Sequence, residues 1–192
     1  MTDIDWWITE ATEADIFNGP GDGLEHVEVI ADALAPCLAG AGRFALDLGC
    51  GWGRLLVPMA ARFPRALFWG CDVAPRHHGH RWPRNACWLA TDGYGLMLAE
   101  EVVDAAWSVL LFQHLPDDEM AVWLIEMSRV LKDGGRFCFQ WVDEDAPDAP
   151  RLYQHSEEFV RAAVDDAGFS ILHWDVNPVG PSGWWWATAI WP

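Results

Sequence analysis

The sequence predicts an α/β fold on a doubly wound, mostly parallel sheet of seven strands, with helices on both faces. Three observations carry this. Short apolar runs alternate with helical patterns, several of those runs end in an acid or a glycine, and the last two follow each other with no helix between them. Strands alternating with helices imply βαβ units and parallel pairing, whereas two strands joined directly make an antiparallel hairpin.

Each element has its own signal. After an acidic leader, "GLEHVEVIADALAPCL" places Leu24, Val27, Ile30, Leu34 and Leu38 near the 3.6-residue helical period. "RFALDL" (43–48) is short and apolar, as a buried strand is, and a helix follows from Gly53 to Phe63. "RALFWGCD" (65–72) and "ACWLATD" (86–92) are the second and third strands, each closing on an acid. "GYGLMLAEE" (93–101) reads as a short helix and "VDAAWSVLLF" (103–112) as the fourth strand. Pro116, followed by Asp117, Asp118 and Glu119, opens a helix through Leu131, because proline and carboxylates both suit a first turn. "KDGG" (132–135) is a turn and "RFCFQWV" (136–142) the fifth strand. Ser156 caps a helix to Ala167, and Gly168 supplies the left-handed residue that ends it. "FSILHWDV" and "GWWWATAIW" form the hairpin. The chain therefore reads as one domain over 1–192: leader and helix (1–42), a core that carries the site (43–142), and a C-terminal helix and hairpin (143–192).

Composition excludes several classes. No apolar stretch approaches the roughly 18 residues of a membrane helix, and "MTDIDWWITE" carries no basic segment before an apolar one, so a cytoplasmic protein with no secretory signal is expected. The formal charge is −17, and residues 1–42 hold nine carboxylates and no Lys or Arg, which disfavours a nucleic-acid partner. Five scattered cysteines show no metal or disulfide spacing. His77, His78 and His80 have no acid or thiolate spaced to complete a metal site, so no metal is expected.

The informative stretch is "LDLGCGWGR" (46–54), with glycines at alternating positions directly after a strand. Such a turn brings bare amides against a ligand at the carboxyl edge of a sheet. The dinucleotide fingerprint needs a small residue at its third place, and here that place is Arg54. The spacing D-x-G-x-G-x-G, Asp47 to Gly53, instead resembles motif I of the class I S-adenosylmethionine-dependent methyltransferases. The likeness continues in order through Asp72, "ATDG" (90–93), "DAAWSVLLFQHLPD" (104–117), "VLKDGGRF" and "SEEFVRAAVDDAGFSIL".

That resemblance implies a Rossmann-like fold, S-adenosylmethionine as cofactor and S-adenosylhomocysteine as product. It implies a cofactor site made by Asp47, Gly49, Cys50, Gly51, Gly53, Asp72, Val73, Thr91, Asp92, Gly93, Val109 and Leu110. Asp72 would take the ribose hydroxyls, since a carboxylate accepts two hydrogen bonds from a vicinal diol, and Asp92 the adenine amino group. His114, at the exit of the fourth strand, is the candidate base; Asp143, Glu144, Tyr153 and His155 stand behind it. Trp6, Trp7, Gln113, Trp141 and Tyr153 are expected to line the acceptor side, with the hairpin turn "NPVGPSG" and Trp184. Most of Trp184–Trp186, with Trp107 and Trp123, are expected in the core. Aromatics in an acidic rim favour an apolar, aromatic or cationic small molecule. The connection 73–85 is short for the family, and no Asn/Asp-Pro-Pro-Tyr/Phe sequence follows the fourth strand, which argues against nucleobase or glutamine acceptors. Two alternatives stand beside a small-molecule enzyme: methylation of a protein or other macromolecule, and a non-catalytic cofactor binder.

Overall fold

The computed structural model describes residues 3–10, 24–73, 82–146, 152–176 and 184–192. Its helices are α1 (Asp3–Thr9), α2 (Leu24–Leu38), α3 (Leu56–Arg62), α4 (Asp117–Val130) and α5 (Glu157–Asp166). Its strands are β1 (Phe44–Leu48), β2 (Leu67–Asp72), β3 (Ala86–Ala90), β4 (Val103–Ser108), β5 (Leu131–Val142), β6 (Ser170–Val176) and β7 (Trp184–Ile190). They form one sheet in the order β3-β2-β1-β4-β5-β7-β6. β1 to β5 pair in parallel, and β7 enters antiparallel between β5 and β6. The predicted doubly wound sheet and its terminal hairpin are both present.

Period-two alternation divides the interior into two layers. Leu46, Leu48, Phe137, Phe139 and Trp141 pack on one face with Met120, Leu124 and Met127 of α4 and Val160 and Val164 of α5. Ala45, Phe68, Ala105, Trp107, Cys138 and Trp186 pack on the other with α2 and α3. β4 is buried at every position, as a central parallel strand must be. At its amino end Asp104 draws three elements together: it accepts from Phe44 N (2.8 Å), Arg43 Nη1 (2.7 Å) and Lys132 Nζ (2.8 Å).

Several boundaries differ from expectation for physical reasons. Residues 93–101 form turns and not a helix. Gly93 is left-handed (φ +90°), and the segment's polar groups go to α4: Leu96 N donates to Glu126 Oε1, while Arg129 donates to the carbonyls of Leu96 and Leu98. β4 ends at Ser108, because the chain leaves the sheet at Leu110 in a left-handed conformation (φ +62°) and makes a 3-10 turn over Phe112–His114. "KDGG" sits inside β5 as an irregularity between the pairs Val103–Leu131 and Ala105–Arg136. The leader holds a helix, α1, that its composition did not announce. Ser156 does cap α5, accepting from Phe159 N (3.1 Å), and Gly168 is left-handed (φ +86°). Leader residues 11–23, the histidine cluster at 77–80 and the hairpin turn 177–183 lie outside the described residues.

No described helix is long and apolar enough to cross a membrane. No group of His, Cys, Asp or Glu among the described residues could hold a metal ion.

Candidate active site

The strand order reverses between β1 and β4, and ligands of such sheets sit at the carboxyl ends there. The glycine turn leaves β1 at that point. Gly49 N and Cys50 N both donate to Cys71 O (2.9 and 3.0 Å), and Gly53 N donates to Cys50 O (2.9 Å). Gly51 N donates to Asp72 Oδ2 (2.9 Å), so the acid ending β2 is fixed against the glycine turn. Gly49, Gly51 and Gly53 take φ of +74°, +50° and +80°, conformations that side chains rarely adopt. Two of these glycines also make room for protein. A Cβ on Gly49 would meet the Leu111 side chain at 3.0 Å, and one on Gly53 would meet the Trp82 ring at 2.3 Å.

Asp47 lies beneath this turn, 2% exposed, and no donor reaches its Oδ2. Burial first, and the neighbouring Asp72 charge second, hold its carboxyl well above the usual carboxylate range, against the Arg54 charge and the Trp107 indole. A buried carboxylate oxygen with no donor is costly in isolation and suits a site that a polar ligand completes. Burial likewise raises the thiols of Cys50 and Cys71, so neither supplies a thiolate nucleophile.

The opposite wall is the segment from Val109 to Pro116. Val109 and Leu115 are buried, Leu111 packs toward Gly49, and Ser108 Oγ donates to Leu48 O (3.1 Å), tying the exit of β4 to β1. The His114 ring lies edge-on to Trp7 (centroids 4.8 Å), which in turn meets Trp6 (4.9 Å). His114 Nε2 is 3.4 Å from Gln113 Nε2, and the Gln113 carbonyl accepts from Tyr153 N (2.7 Å). Trp6, Trp7, Gln113, His114 and Tyr153 are thus brought together.

A methyltransferase-domain family signature matches residues 45–135. Over 131 residues the chain is 34% identical to a trans-aconitate 2-methyltransferase of Methylobacterium radiotolerans, covering 67% of this chain and 49% of that protein. Over 98 residues it is 32% identical to a malonyl-[acyl-carrier protein] O-methyltransferase of Hahella chejuensis, covering 47% of this chain and 33% of that one. It therefore spans about half or less of these curated relatives' length. The magnesium protoporphyrin IX methyltransferase of Synechocystis PCC 6803, solved with S-adenosylmethionine bound, superposes with a TM-score of 0.73 at 19% identity over 99% of this chain and 97% of that one. Residues 45–135 belong to the methyltransferase-domain family, of the class I S-adenosylmethionine-dependent type. The cofactor of the family is S-adenosylmethionine.

In this chain the cofactor residues named from sequence fall into two groups. Asp47, Gly49, Cys50, Gly51, Gly53, Asp72, Val73, Val109 and Leu110 lie at or just beyond the carboxyl ends of β1, β2 and β4. Thr91, Asp92 and Gly93 follow β3 in a self-closed turn: Thr91 Oγ1 accepts from Gly93 N and donates to Gly95 O, while Asp92 Oδ1 accepts from Tyr94 N. Asp92 is exposed there. Trp141 belongs to neither group and corrects the sequence reading. It is 0% exposed in the α4/α5 layer, with Trp174 at 4.5 Å and Trp185 at 6.0 Å, because its place in the period-two alternation puts it beside Phe137 and Phe139.

His155 is corrected as well. It is fully buried, its Nδ1 2.7 Å from Asp117 Oδ1 and its Nε2 3.0 Å from Phe112 O, so both ring nitrogens are engaged. Its place is in holding the wall and not in taking a proton from an acceptor. Leu110, whose strained backbone turns the wall outward, carried no such sign in sequence, because its φ is imposed by the packing around it.

Proposed function

We propose that this chain transfers a methyl group from S-adenosylmethionine to a small-molecule acceptor by in-line displacement at the carboxyl ends of β1 and β4. The observation that carries this is the glycine turn closed on Asp72 above Asp47, whose Oδ2 lacks a donor. The bound sulfonium supplies an electrophilic methyl carbon and leaves as a neutral thioether. The chain's own part is alignment and exclusion of water. Asp72 holds the ribose end, the glycine turn lets backbone approach the ligand, and the 109–116 wall presents buried Val109 and Leu115 beside half-buried Leu110 and Leu111. Where the acceptor carries a proton, His114 takes it, from a position against Trp7 and Gln113.

The relatives name trans-aconitate and a carrier-bound malonyl group as acceptors, and the structural neighbour a porphyrin. Trans-aconitate and the porphyrin support a metabolite-sized acceptor. The test is a panel of small carboxylates, including trans-aconitate, beside aromatic amines and phenols, each incubated with S-adenosylmethionine while S-adenosylhomocysteine is quantified by chromatography. Acceptor-dependent product that disappears in Asp72→Ala is expected. Product only with a protein fraction would favour the macromolecular reading, and tight cofactor binding with no turnover on any acceptor would favour the non-catalytic one.

A further inference from the structure

Gln113 is 7% exposed and stands in the 3-10 turn Phe112–His114, on the wall between β4 and α4. The backbone of that turn is fixed. His114 N donates to Leu111 O (2.8 Å), Leu115 N to Phe112 O (3.1 Å), and Tyr153 N to the Gln113 carbonyl (2.7 Å). The side chain is held far less well: its Nε2 lies 3.4 Å from His114 Nε2, and its Oε1 is buried with no donor. Ser108 and His155, buried polar residues of the same region, both have side-chain partners. The open atom of Gln113 is therefore not a general feature of this wall.

A buried amide oxygen without a donor is costly unless something completes it. Here the amide lies against His114, whose ring meets Trp7, so the open atom belongs to the acceptor side of the site. An amide oxygen only accepts. A carboxylate or ether oxygen placed against it would oppose two acceptors, whereas an O–H or N–H satisfies it. Because Gln113 and His114 are neighbours, the two groups that they serve are neighbours in the acceptor as well.

We propose that Gln113 is a specificity-determining residue whose Oε1 accepts from an O–H or N–H group that the methyl acceptor carries beside its reacting atom. The acceptor class is then a small hydroxy or amino compound with two adjacent donors, one facing His114 and the other Gln113. This rests on the methyl transfer proposed above, with His114 taking the proton of the reacting atom. The aromatic Trp6–Trp7 pair beside His114 suits a flat acceptor.

The test uses four phenols that share one reacting hydroxyl and differ at the adjacent position. 2-Aminophenol and 2-(hydroxymethyl)phenol carry a donor there; 2-methoxyphenol and salicylate do not. With S-adenosylmethionine as donor, wild-type kcat/KM should be roughly ten- to a hundredfold higher for the first two, the size of one buried hydrogen bond made or left unmade. Gln113→Met keeps the length of the side chain and removes the amide, and it should bring the first two down to the level of the others. Gln113→Glu keeps an accepting oxygen and should retain the preference. The unliganded Gln113→Met protein should melt no lower than wild type, since it loses an unpaired buried atom. Equal wild-type rates on the four phenols, or a preference for salicylate, would overturn the proposal. So would a preference that survives in Gln113→Met, one that is lost in Gln113→Glu, or a Gln113→Met protein that melts lower or fails to fold, which would make the amide a structural one. Calorimetry with S-adenosylhomocysteine separates the two levels of the argument. Wild-type protein that binds it and methylates none of the four phenols would overturn this acceptor class alone, and protein that does not bind it would overturn the methyl transfer as well.

Discussion

At the scale of single residues, the two acids of the site have opposite duties. Asp72 is an acceptor already engaged by Gly51 N, and it closes the turn from the β2 side. Replacing it with alanine removes the acceptor proposed for the ribose and loosens the turn together. Asp72→Ala should weaken S-adenosylhomocysteine binding by roughly 2 to 4 kcal/mol, measured by calorimetry. Asp47 instead burdens the fold, being buried with no donor on its Oδ2. Its folded-state carboxyl titrates above the unfolded one, so the proton's contribution to stability is present at low pH and is lost as pH rises through the folded value. Asp47→Asn removes that loss. The unliganded variant should melt at a higher temperature than wild type at pH 8, with the gap closing toward pH 4, near the ordinary aspartate value. Its affinity for S-adenosylhomocysteine should fall. A gap independent of pH would show that Asp47 does not carry this burden.

At the scale of elements, the wall between β4 and α4 depends on a segment far away in sequence. His155 bonds Asp117 and the Phe112 carbonyl, while Tyr153 N and His155 N bond the carbonyls of Gln113 and Val142. The ring also stacks on Phe159 (centroids 5.9 Å). His155→Phe keeps the aromatic volume and deletes both side-chain bonds. Amide hydrogen exchange should quicken over 111–117 and 152–156 and stay unchanged in β1 and β4, with about 1 to 3 kcal/mol lost from the local opening energy. Unchanged protection over 111–117 would mean that apolar packing of Phe112 and Leu115 alone sets the wall.

At this same scale, legibility from sequence follows the range of the forces. β1, β2 and β4 were readable because burial favours short, mostly apolar runs, and Ser156 and Gly168 because caps are local chemistry. Asp72 was readable because a strand end places it. The failures were long-range. Residues 93–101 give up a helix to bonds from Glu126 and Arg129, and the burial of Trp141 depends on the neighbours that β7 and β6 bring.

At the scale of the whole molecule, the amino ends of the central strands are joined by one buried acid. Asp104 secures the amino ends of β1, β4 and β5. Burial raises its carboxyl, but Lys132, Phe44 N and Arg43 outweigh that, and the net displacement is downward. Its stabilisation is present above the ordinary aspartate value and is lost as pH falls through the folded one. Asp104→Asn should therefore cost about 1 to 3 kcal/mol at pH 7, with a smaller difference from wild type in acid, read by thermal unfolding. The carboxyl ends are tied more lightly among the described residues, by Gly51 N to Asp72 Oδ2 and Ser108 Oγ to Leu48 O, and the buried Asp47 Oδ2 there has no donor. Filling that end should stabilise the whole sheet by mass action. A cofactor at a hundred times its dissociation constant adds about 2.7 kcal/mol, which for a domain of this size raises the melting temperature by roughly 5 to 10 °C. S-adenosylhomocysteine should produce that rise in wild type and in Asp104→Asn alike, because the anchor lies at the opposite end of the strands from the ligand. It should produce much less in Asp72→Ala. A rise that survives Asp72→Ala but is lost in Asp104→Asn would place the ligand at the amino ends and refute the site described above.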